Sequence, residues 1–189
     1  MAEIILASAS PRRRELLSTA GLSFSVRVAD VEEIIDENAT PDEVVKSLAL
    51  QKAQAVARDN PSAVVIGADT VVVLDGTILG KPENEQNAVQ MLTALSGRSH
   101  TVYTGVALIK GDEVKNFCEA TEVEFYDLTK EEIEDYVATK DCMDKAGAYG
   151  IQDFGSVFVE GIKGDYFNVV GLPISTLNDM LVECGVIKY

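Results

Sequence analysis

Three consecutive arginines, Arg12–Arg14, stand at the start of a predicted helix, directly after Ser8 and Ser10. The first turn of a helix carries free backbone N–H groups and the positive end of the helix dipole, so cations there oppose the helix unless an anion is bound. Guanidinium groups, hydroxyls and free amides all suit phosphate oxygens. The segment therefore indicates either a phosphate site or a solvated basic turn that Ser10 caps. It is not a P-loop, because GxxxxGK[ST] is absent.

Lys52 and Asp69 place charges inside apolar segments. Lys52 falls at the centre of the apolar stripe of a helix predicted over 41–58, so either its stem extends to the rim or its ammonium meets a carboxylate or phosphate. Asp69 interrupts the most apolar stretch of the chain, 63–74, where an ionised carboxylate is costly without a cation or metal. It is expected to form a structural ion pair with a lysine, or to act as a general base or magnesium ligand. Lys81 follows a predicted hairpin, which is expected to bring its ammonium back near Asp69.

An acidic segment follows the predicted second strand and contains Glu32, Glu33, Asp36 and Glu37. Such a segment is ordinarily a solvated face. One of its carboxylates could instead join Asp69 around a hard divalent cation, which takes oxygen ligands and bridges phosphates. The residue types do not choose which carboxylate this would be.

The stretch 144–152, DKAGAYGIQ, is predicted to be a loop. Its glycines let backbone approach a ligand closely, and the amide of Gln152 offers a donor and an acceptor to a base edge. The alternative is a structural loop with turn glycines. His100 is the single histidine and has no serine elbow or cysteine motif near it, so it is predicted to be structural or on the surface.

Strands and helices alternate along the chain and would position these residues. Capping boxes at Thr40 and Thr129 predict helices over 41–58 and up to 139, and Ser10 with Pro11 begins another. Further helices are predicted over 84–96 and up to Gly185. Strands are predicted over 4–7, 23–31, 63–74, 77–80, 101–109, 114–125, 157–159 and 166–170. The fold class is therefore α/β or α+β with a mixed sheet.

Length and charge exclude several classes of protein. The 189 residues, 47% of them apolar, suit one domain, or one domain with a lobe split by its active site. A net charge of -15, from 31 acidic and 16 basic side chains, opposes sequence-independent binding to nucleic acid or anionic membrane. The three cysteines have no metal spacing and are expected to be reduced. With no leader and no apolar run near about 20 residues, a soluble cytoplasmic protein is predicted.

Six blocks together closely resemble the Maf family, in the family's order and over nearly the whole chain. They are SASPRRRELL at 8–17, LALQKA at 48–53, GADTVV at 67–72, GKP at 80–82, DKAGAYGIQ at 144–152 and GDYFNVVGLP at 164–173. The resemblance implies a nucleoside triphosphate pyrophosphatase that cleaves between the α and β phosphates with Mg²⁺ or Mn²⁺. It also implies one domain over 1–189 and a fold similar to inosine triphosphate pyrophosphatases, with a long mixed sheet, flanking helices and two lobes around a central cleft. A homodimer and an association with inhibition of septum formation are implied as well.

The resemblance carries over to individual residues. Asp69 matches the catalytic carboxylate proposed to activate water, and Glu33 matches the metal-associated glutamate, with Glu32 beside it as the alternative. The phosphate-handling cations are matched by Arg12, Arg13, Lys52 and Lys81, and the loop serine is matched by Ser8. Arg12, Thr70 and Gln152 match positions linked to base choice, in the pattern of the branch acting on dTTP, UTP and modified pyrimidine nucleotides rather than 7-methyl-GTP.

Two other functions remain open from the residues. One is a nucleotide-binding regulator of cell division without significant turnover. The other is phosphoryl transfer through an aspartyl-phosphate on Asp69, suggested by the Asp-Thr-Val sequence within an apolar strand.

Overall fold

A computed structural model describes residues 3–28 and 30–188. The chain forms two compact units, each assembled from separate stretches. The first unit contains the described residues up to Asp69, Thr104–Glu119 and the described residues from Gly171 onward. The second contains Thr70–Tyr103 and Ala120–Val170.

The described residues form a mixed sheet of seven strands. These are β1 (Ile4–Leu6), β2 (Phe24–Val26), β3 (Val64–Leu74), β4 (Thr77–Leu79), β5 (Ser99–Lys110), β6 (Glu113–Phe125) and β7 (Val159–Lys163). Their order is β2-β1-β3-β5-β6-β7, with β4 paired to β3. Strand β1 is parallel to β2 and β3, whereas β3 with β4 and β6 with β7 are antiparallel pairs. The mixed α/β sheet predicted from the sequence is confirmed.

Among the helices of the described residues, the first, second and fourth begin where the capping residues Ser10, Thr40 and Thr129 predict. The helices are α1 (Pro11–Thr19), α2 (Pro41–Ala57), α3 (Glu85–Leu95), α4 (Lys130–Ala138), α5 (Tyr166–Val170) and α6 (Ile174–Glu183). The Ser10 side chain accepts a hydrogen bond from the backbone N–H of Arg13, as an N-cap does. The backbone N–H of Thr40 donates to Glu43 Oε2 at 2.8 Å, and that of Thr129 donates to Glu132 Oε2 at 2.7 Å. None of the described helices has both the length and the apolar character that a membrane crossing requires.

Each unit has its own apolar core. In the first unit, Ile5 and Val65 of the sheet pack with Ala49 and Ala53 of α2. In the second, Leu92 of α3 and other aliphatic residues pack with aromatic rings. His100 packs against this second core, 3% exposed, with its ring 5.0 Å from that of Phe125, so of the two predicted alternatives it is structural rather than on the surface. The cysteines are free thiols, also as predicted.

Two strand predictions near the C-terminus are wrong, and the strand predicted over 23–31 is too long. Residues 166–170 form helix α5, because the Asp165 carboxylate accepts a hydrogen bond from the Phe167 N–H at 2.8 Å and stabilises a helix start. This local cap overrides the strand preference of the aromatic and β-branched residues. Residues 154–158 form a 3-10 turn, and β7 begins only at Val159. The strand predicted over 23–31 is limited to β2, and Ala29 within that prediction lies outside the described residues.

Candidate active site

Lys52 of α2 joins two carboxylates of the first unit. Its Nζ lies 2.5 Å from Asp69 Oδ1 and 2.9 Å from Glu33 Oε1. The Asp69 side chain is 14% exposed and that of Lys52 is 24% exposed, so the pair lies partly out of water. Lys52, on the apolar stripe of its helix, therefore forms an ion pair with Asp69, in the apolar strand.

A glycine permits this meeting. Gly67 precedes Asp69 by two residues on β3 and packs against α2 one turn from Lys52. A Cβ atom at Gly67 would lie 2.9 Å from Ala53 Cβ and closer still to the backbone oxygen of Ala49. Only glycine lets the helix backbone approach the strand this closely. The approach puts Lys52 within reach of the Asp69 carboxylate.

Arg13 is anchored to the same stretch of β3. Its Nη1 donates to the Ala68 carbonyl at 3.0 Å and to Ser8 Oγ at 3.2 Å, and its Nε donates to the Gly171 carbonyl at 2.7 Å. Desolvation lowers the pKa of the Arg13 guanidinium, the Asp69 carboxylate raises it, and the charge of Arg12 lowers it. The guanidinium is thus bonded to the residue that precedes Asp69, and the Asp69 charge affects its pKa.

Ser8, Arg12 and Arg14 complete the start of α1. Ser8 is buried, and its Oγ also accepts a hydrogen bond from the Ser10 N–H at 3.2 Å. Arg12 is half-buried and Arg14 is exposed. The three arginines therefore differ in environment: one is fixed against backbone carbonyls, one is partly covered and one faces solvent.

The sequence did not indicate how the acidic segment is held. Gln51, the neighbour of Lys52, donates from Nε2 to the Ile34 carbonyl at 2.8 Å and accepts the Ile34 N–H at Oε1 at 3.0 Å. This two-point contact ties the acidic segment to α2 beside Glu33. A glutamine directly before an inward lysine was the available signal. Between the two candidate glutamates, it is the Glu33 carboxylate that contacts Lys52.

The second unit carries the other predicted site residues. Thr70 follows Asp69 on β3 and is half-buried, while Lys81 and Gln152 are exposed. The segment of Lys81 and the loop of Gln152 touch, because the Gly147 N–H donates to the Gly80 carbonyl at 3.0 Å. Within this unit, the hairpin cation and the loop amide therefore lie on adjoining segments.

Two carboxylates, those of Glu33 and Asp69, meet at Lys52 in the first unit. Among the residues that the structure describes, no group of three or more His, Cys, Asp or Glu side chains is arranged to hold a metal ion. Glu33 and Asp69 nonetheless both contact the Lys52 ammonium, through Oε1 and Oδ1, and each carboxylate has a second oxygen. Mg²⁺ is commonly held by one or two carboxylates together with substrate phosphates, so this donor set fits such an ion.

The sequence is similar to one family profile and to proteins described as dTTP/UTP pyrophosphatases. The sequence profile of the family described as Maf-like protein matches residues 3–184. A dTTP/UTP pyrophosphatase of Bacillus cereus (strain AH820) is 57% identical over 177 residues, covering 94% of this chain and 93% of that protein. A dTTP/UTP pyrophosphatase of Bacillus anthracis is 56% identical over 177 residues, with the same coverage.

Two solved structures are more distantly similar. The Staphylococcus aureus Ham1 protein has a TM-score of 0.48 and 20% identity, covering 65% of this chain and 71% of that one. Protein VC0702 from Vibrio cholerae has a TM-score of 0.44 and 14% identity, covering 95% and 97%. The family match over residues 3–184 and the relatives more than half identical to nearly the whole chain show that this protein belongs to the Maf-like protein family.

Proposed function

We propose that this protein hydrolyses dTTP and UTP between the α and β phosphates, releasing the monophosphate and pyrophosphate. The observation that carries the proposal is the contact of Lys52 with Asp69 and Glu33 beside the anchored Arg13. It supports the proposal because cations and a carboxylate meet at one place, as hydrolysis of a phosphoanhydride requires. The relatives described as dTTP/UTP pyrophosphatases support the choice of substrate.

In this proposal, the cations bind and polarise the triphosphate. The set comprises Arg12, Arg13, Lys52 and Lys81, with the Ser8 hydroxyl. Charge develops on the oxygens of the phosphorus under attack and of the leaving pyrophosphate, and fixed cations stabilise it without reorganising. Arg13 suits this task because backbone carbonyls already hold its guanidinium.

Asp69 is proposed to take a proton from the attacking water. The water oxygen bonds to the α-phosphorus, the bond between the α-phosphorus and the bridging oxygen breaks, and pyrophosphate leaves with that oxygen. Lys52 orients the carboxylate through one oxygen, Oδ1. No covalent enzyme intermediate forms. In ¹⁸O-labelled water, label should therefore enter the monophosphate. Label in orthophosphate would favour an aspartyl-phosphate on Asp69 instead.

Glu33 and Asp69 are proposed to hold the Mg²⁺ or Mn²⁺ that the family resemblance implies. When bound, such an ion neutralises charge on the phosphate oxygens. The support is the convergence of the two carboxylates described above. Glu33 takes this role rather than Glu32 because it is the glutamate paired with Lys52.

Base choice is proposed to depend on Thr70 and Gln152, with Arg12. The side-chain amide of Gln152 can donate to and accept from a pyrimidine edge, and it lies on an exposed loop. Modified pyrimidine nucleotides are included among the proposed substrates, because a contact to one base edge leaves substituents elsewhere on the ring unread.

Purified protein with Mg²⁺ or Mn²⁺ should be assayed for pyrophosphate release across a panel of triphosphates. We expect dTTP and UTP to be the best substrates, and omission of the metal to abolish release. Nucleotide binding with no pyrophosphate release from any triphosphate would contradict the proposal and favour a regulator that binds nucleotide without turnover.

The family resemblance also leads us to propose a single domain over 1–189, a homodimer, a cytoplasmic location and an effect on septum formation. Light scattering of the purified protein tests the dimer. Cell length on overexpression of the active protein and of an inactive variant tests whether any division effect depends on hydrolysis.

A further inference from the structure

Lys145, in the second unit, is a buried lysine that the proposed mechanism does not use. Its side chain is 5% exposed, and its Nζ lies 3.0 Å from Asp141 Oδ1, 3.0 Å from Asp144 Oδ1 and 3.4 Å from Asp153 Oδ2. The ammonium also donates to the backbone carbonyl of Asp141. Lysine is almost never buried unless it is paired, and here three carboxylates share one cation.

The partners of Lys145 stand at both ends of one loop, residues 141–153. Asp141 and Asp144 belong to its opening 3-10 turn, and Asp153 directly follows Gln152. The ammonium therefore ties the beginning of the loop to the backbone beside Gln152. Without this cation, the three carboxylates would lose the charge that all of them contact, and their mutual repulsion would grow.

Gly150 leaves room for the side chain of Lys145 beside the loop backbone. A Cβ atom at this position would lie 2.6 Å from Lys145 Cε and 2.8 Å from Asp153 Oδ2. A side chain at Gly150 would therefore displace the lysine or its aspartate partner from these positions. Two residues of the DKAGAYGIQ block thus serve the same ion-pair cluster.

The middle of the loop is anchored separately, through Tyr149. Its hydroxyl lies 2.7 Å from His100 Nε2, and its ring packs edge-on against Phe125 with centroids 4.7 Å apart. The loop is held before, at and after the glycines, yet Gln152 itself is exposed. An exposed amide on a fixed backbone is suited to reading a ligand, because little conformational entropy is lost on binding.

We propose that Lys145 is a positioning residue for base recognition: by joining Asp141, Asp144 and Asp153 it fixes the backbone from which Gln152 presents its amide to the pyrimidine. This rests on the proposed role of Gln152. Lys145 acts through Gln152 and touches no substrate itself.

A double-mutant cycle separates this role from general stabilisation. The affinity for dTTP in EDTA, where no turnover is expected, is measured by calorimetry for the parent, Lys145→Met, Gln152→Ala and the double variant. We expect Lys145→Met to weaken binding about tenfold, the loss of roughly one hydrogen bond to the base. In the Gln152→Ala background, Lys145→Met should have no further effect. Additive losses would overturn the proposal, because independent residues add.

Lys130→Met is the matched control, since it removes a lysine of the same unit whose side chain is 83% exposed. It should bind dTTP like the parent. Backbone amides of 146–152 should exchange hydrogen faster in Lys145→Met than in Lys130→Met. Unchanged exchange and unchanged affinity in Lys145→Met would also overturn the proposal.

Asp153→Asn is a milder variant if Lys145→Met does not fold. It removes one charge from the cluster next to Gln152, and the same cycle with Gln152→Ala applies. The hydrolysis assay of the parent is read separately. If the parent binds dTTP but does not hydrolyse it, the proposed function fails while the cycle still tests Lys145. If the parent binds dTTP neither in EDTA nor with Mg²⁺, both fail.

Discussion

At the scale of single residues, the site is a set of charges that neutralise one another. Lys52 lies between Asp69 and Glu33, and Arg13 is fixed to the carbonyl that precedes Asp69. Each of these side chains would be unfavourable alone in its partly buried position. Their arrangement keeps a carboxylate in the strand and cations around it before any ligand arrives.

Asp69→Asn should reduce pyrophosphate release from dTTP by about 10²- to 10⁴-fold, the usual contribution of a positioned general base. The amide keeps the shape of the side chain and Lys52 keeps its contact with Glu33, so the protein should remain folded. Asp59→Asn, at an exposed position of the same unit, is the control. A near-normal rate for Asp69→Asn would end its assignment as the base.

Glu33→Gln and Glu32→Gln form a matched pair on adjacent residues. Glu33→Gln should raise the Mg²⁺ concentration needed for half-maximal activity by about tenfold or more, because only Glu33 converges with Asp69 on Lys52. Glu32→Gln should leave it unchanged. A metal titration of dTTP hydrolysis measures both, and the reverse ranking would transfer the role to Glu32.

At the scale of elements, the close approach of α2 to β3 decides whether the charges meet. Gly67 allows it, and Gln51 brings the acidic segment to the same face of the helix. Helix, strand and acidic segment each contribute one charged group, so a small displacement of α2 would separate them.

Gly67→Ala should lower the free energy of unfolding by about 1–3 kcal/mol, because the new methyl group overpacks the contact with α2. It should also slow dTTP hydrolysis by moving Lys52 away from Asp69. Gly161→Ala is the control, since a Cβ atom there meets nothing within 4 Å. Urea unfolding and the hydrolysis assay measure both effects. Equal behaviour of the two variants would show that α2 tolerates the displacement.

At the scale of the whole molecule, charge governs how stability responds to solution conditions. The net charge of -15 opposes binding to other polyanions, yet within the first unit Lys52 and Arg13 are held beside Asp69. Stability also depends on the neutral His100 in the core of the second unit. Burial lowers the pKa of His100 to about 4.

The free energy of unfolding should therefore contain a His100 contribution that is complete above about pH 6.5 and falls as the pH drops towards 4. In that window the unfolded chain binds a proton at His100 and the folded protein does not, a difference of about 3 kcal/mol. Measured by urea unfolding, the free energy of unfolding should fall less between pH 7 and pH 4.5 in His100→Gln than in the parent. Equal losses would place the pH dependence in other groups.

The sequence alone determined the local structure and the unusual charges. Capping boxes located the starts of α2 and α4, and the apolar run located β3, because these signals lie within a few neighbouring residues. Helical periodicity turned Lys52 inward, and the Maf blocks indicated the family. The α5 helix was missed because its Asp165 start was masked by residues that favour strands.

Tertiary structure alone decided which charges are partners. Lys52 and Asp69 are 17 positions apart, Lys52 and Glu33 are on different segments, and periodicity gives the direction of a side chain but not what it meets. In the sequence Lys145 is one cation in a glycine-containing loop, and the fold surrounds it with three aspartates. Ion pairing depends on distance through space, and folding sets that distance by packing backbones together, as Gly67 does for α2 and β3.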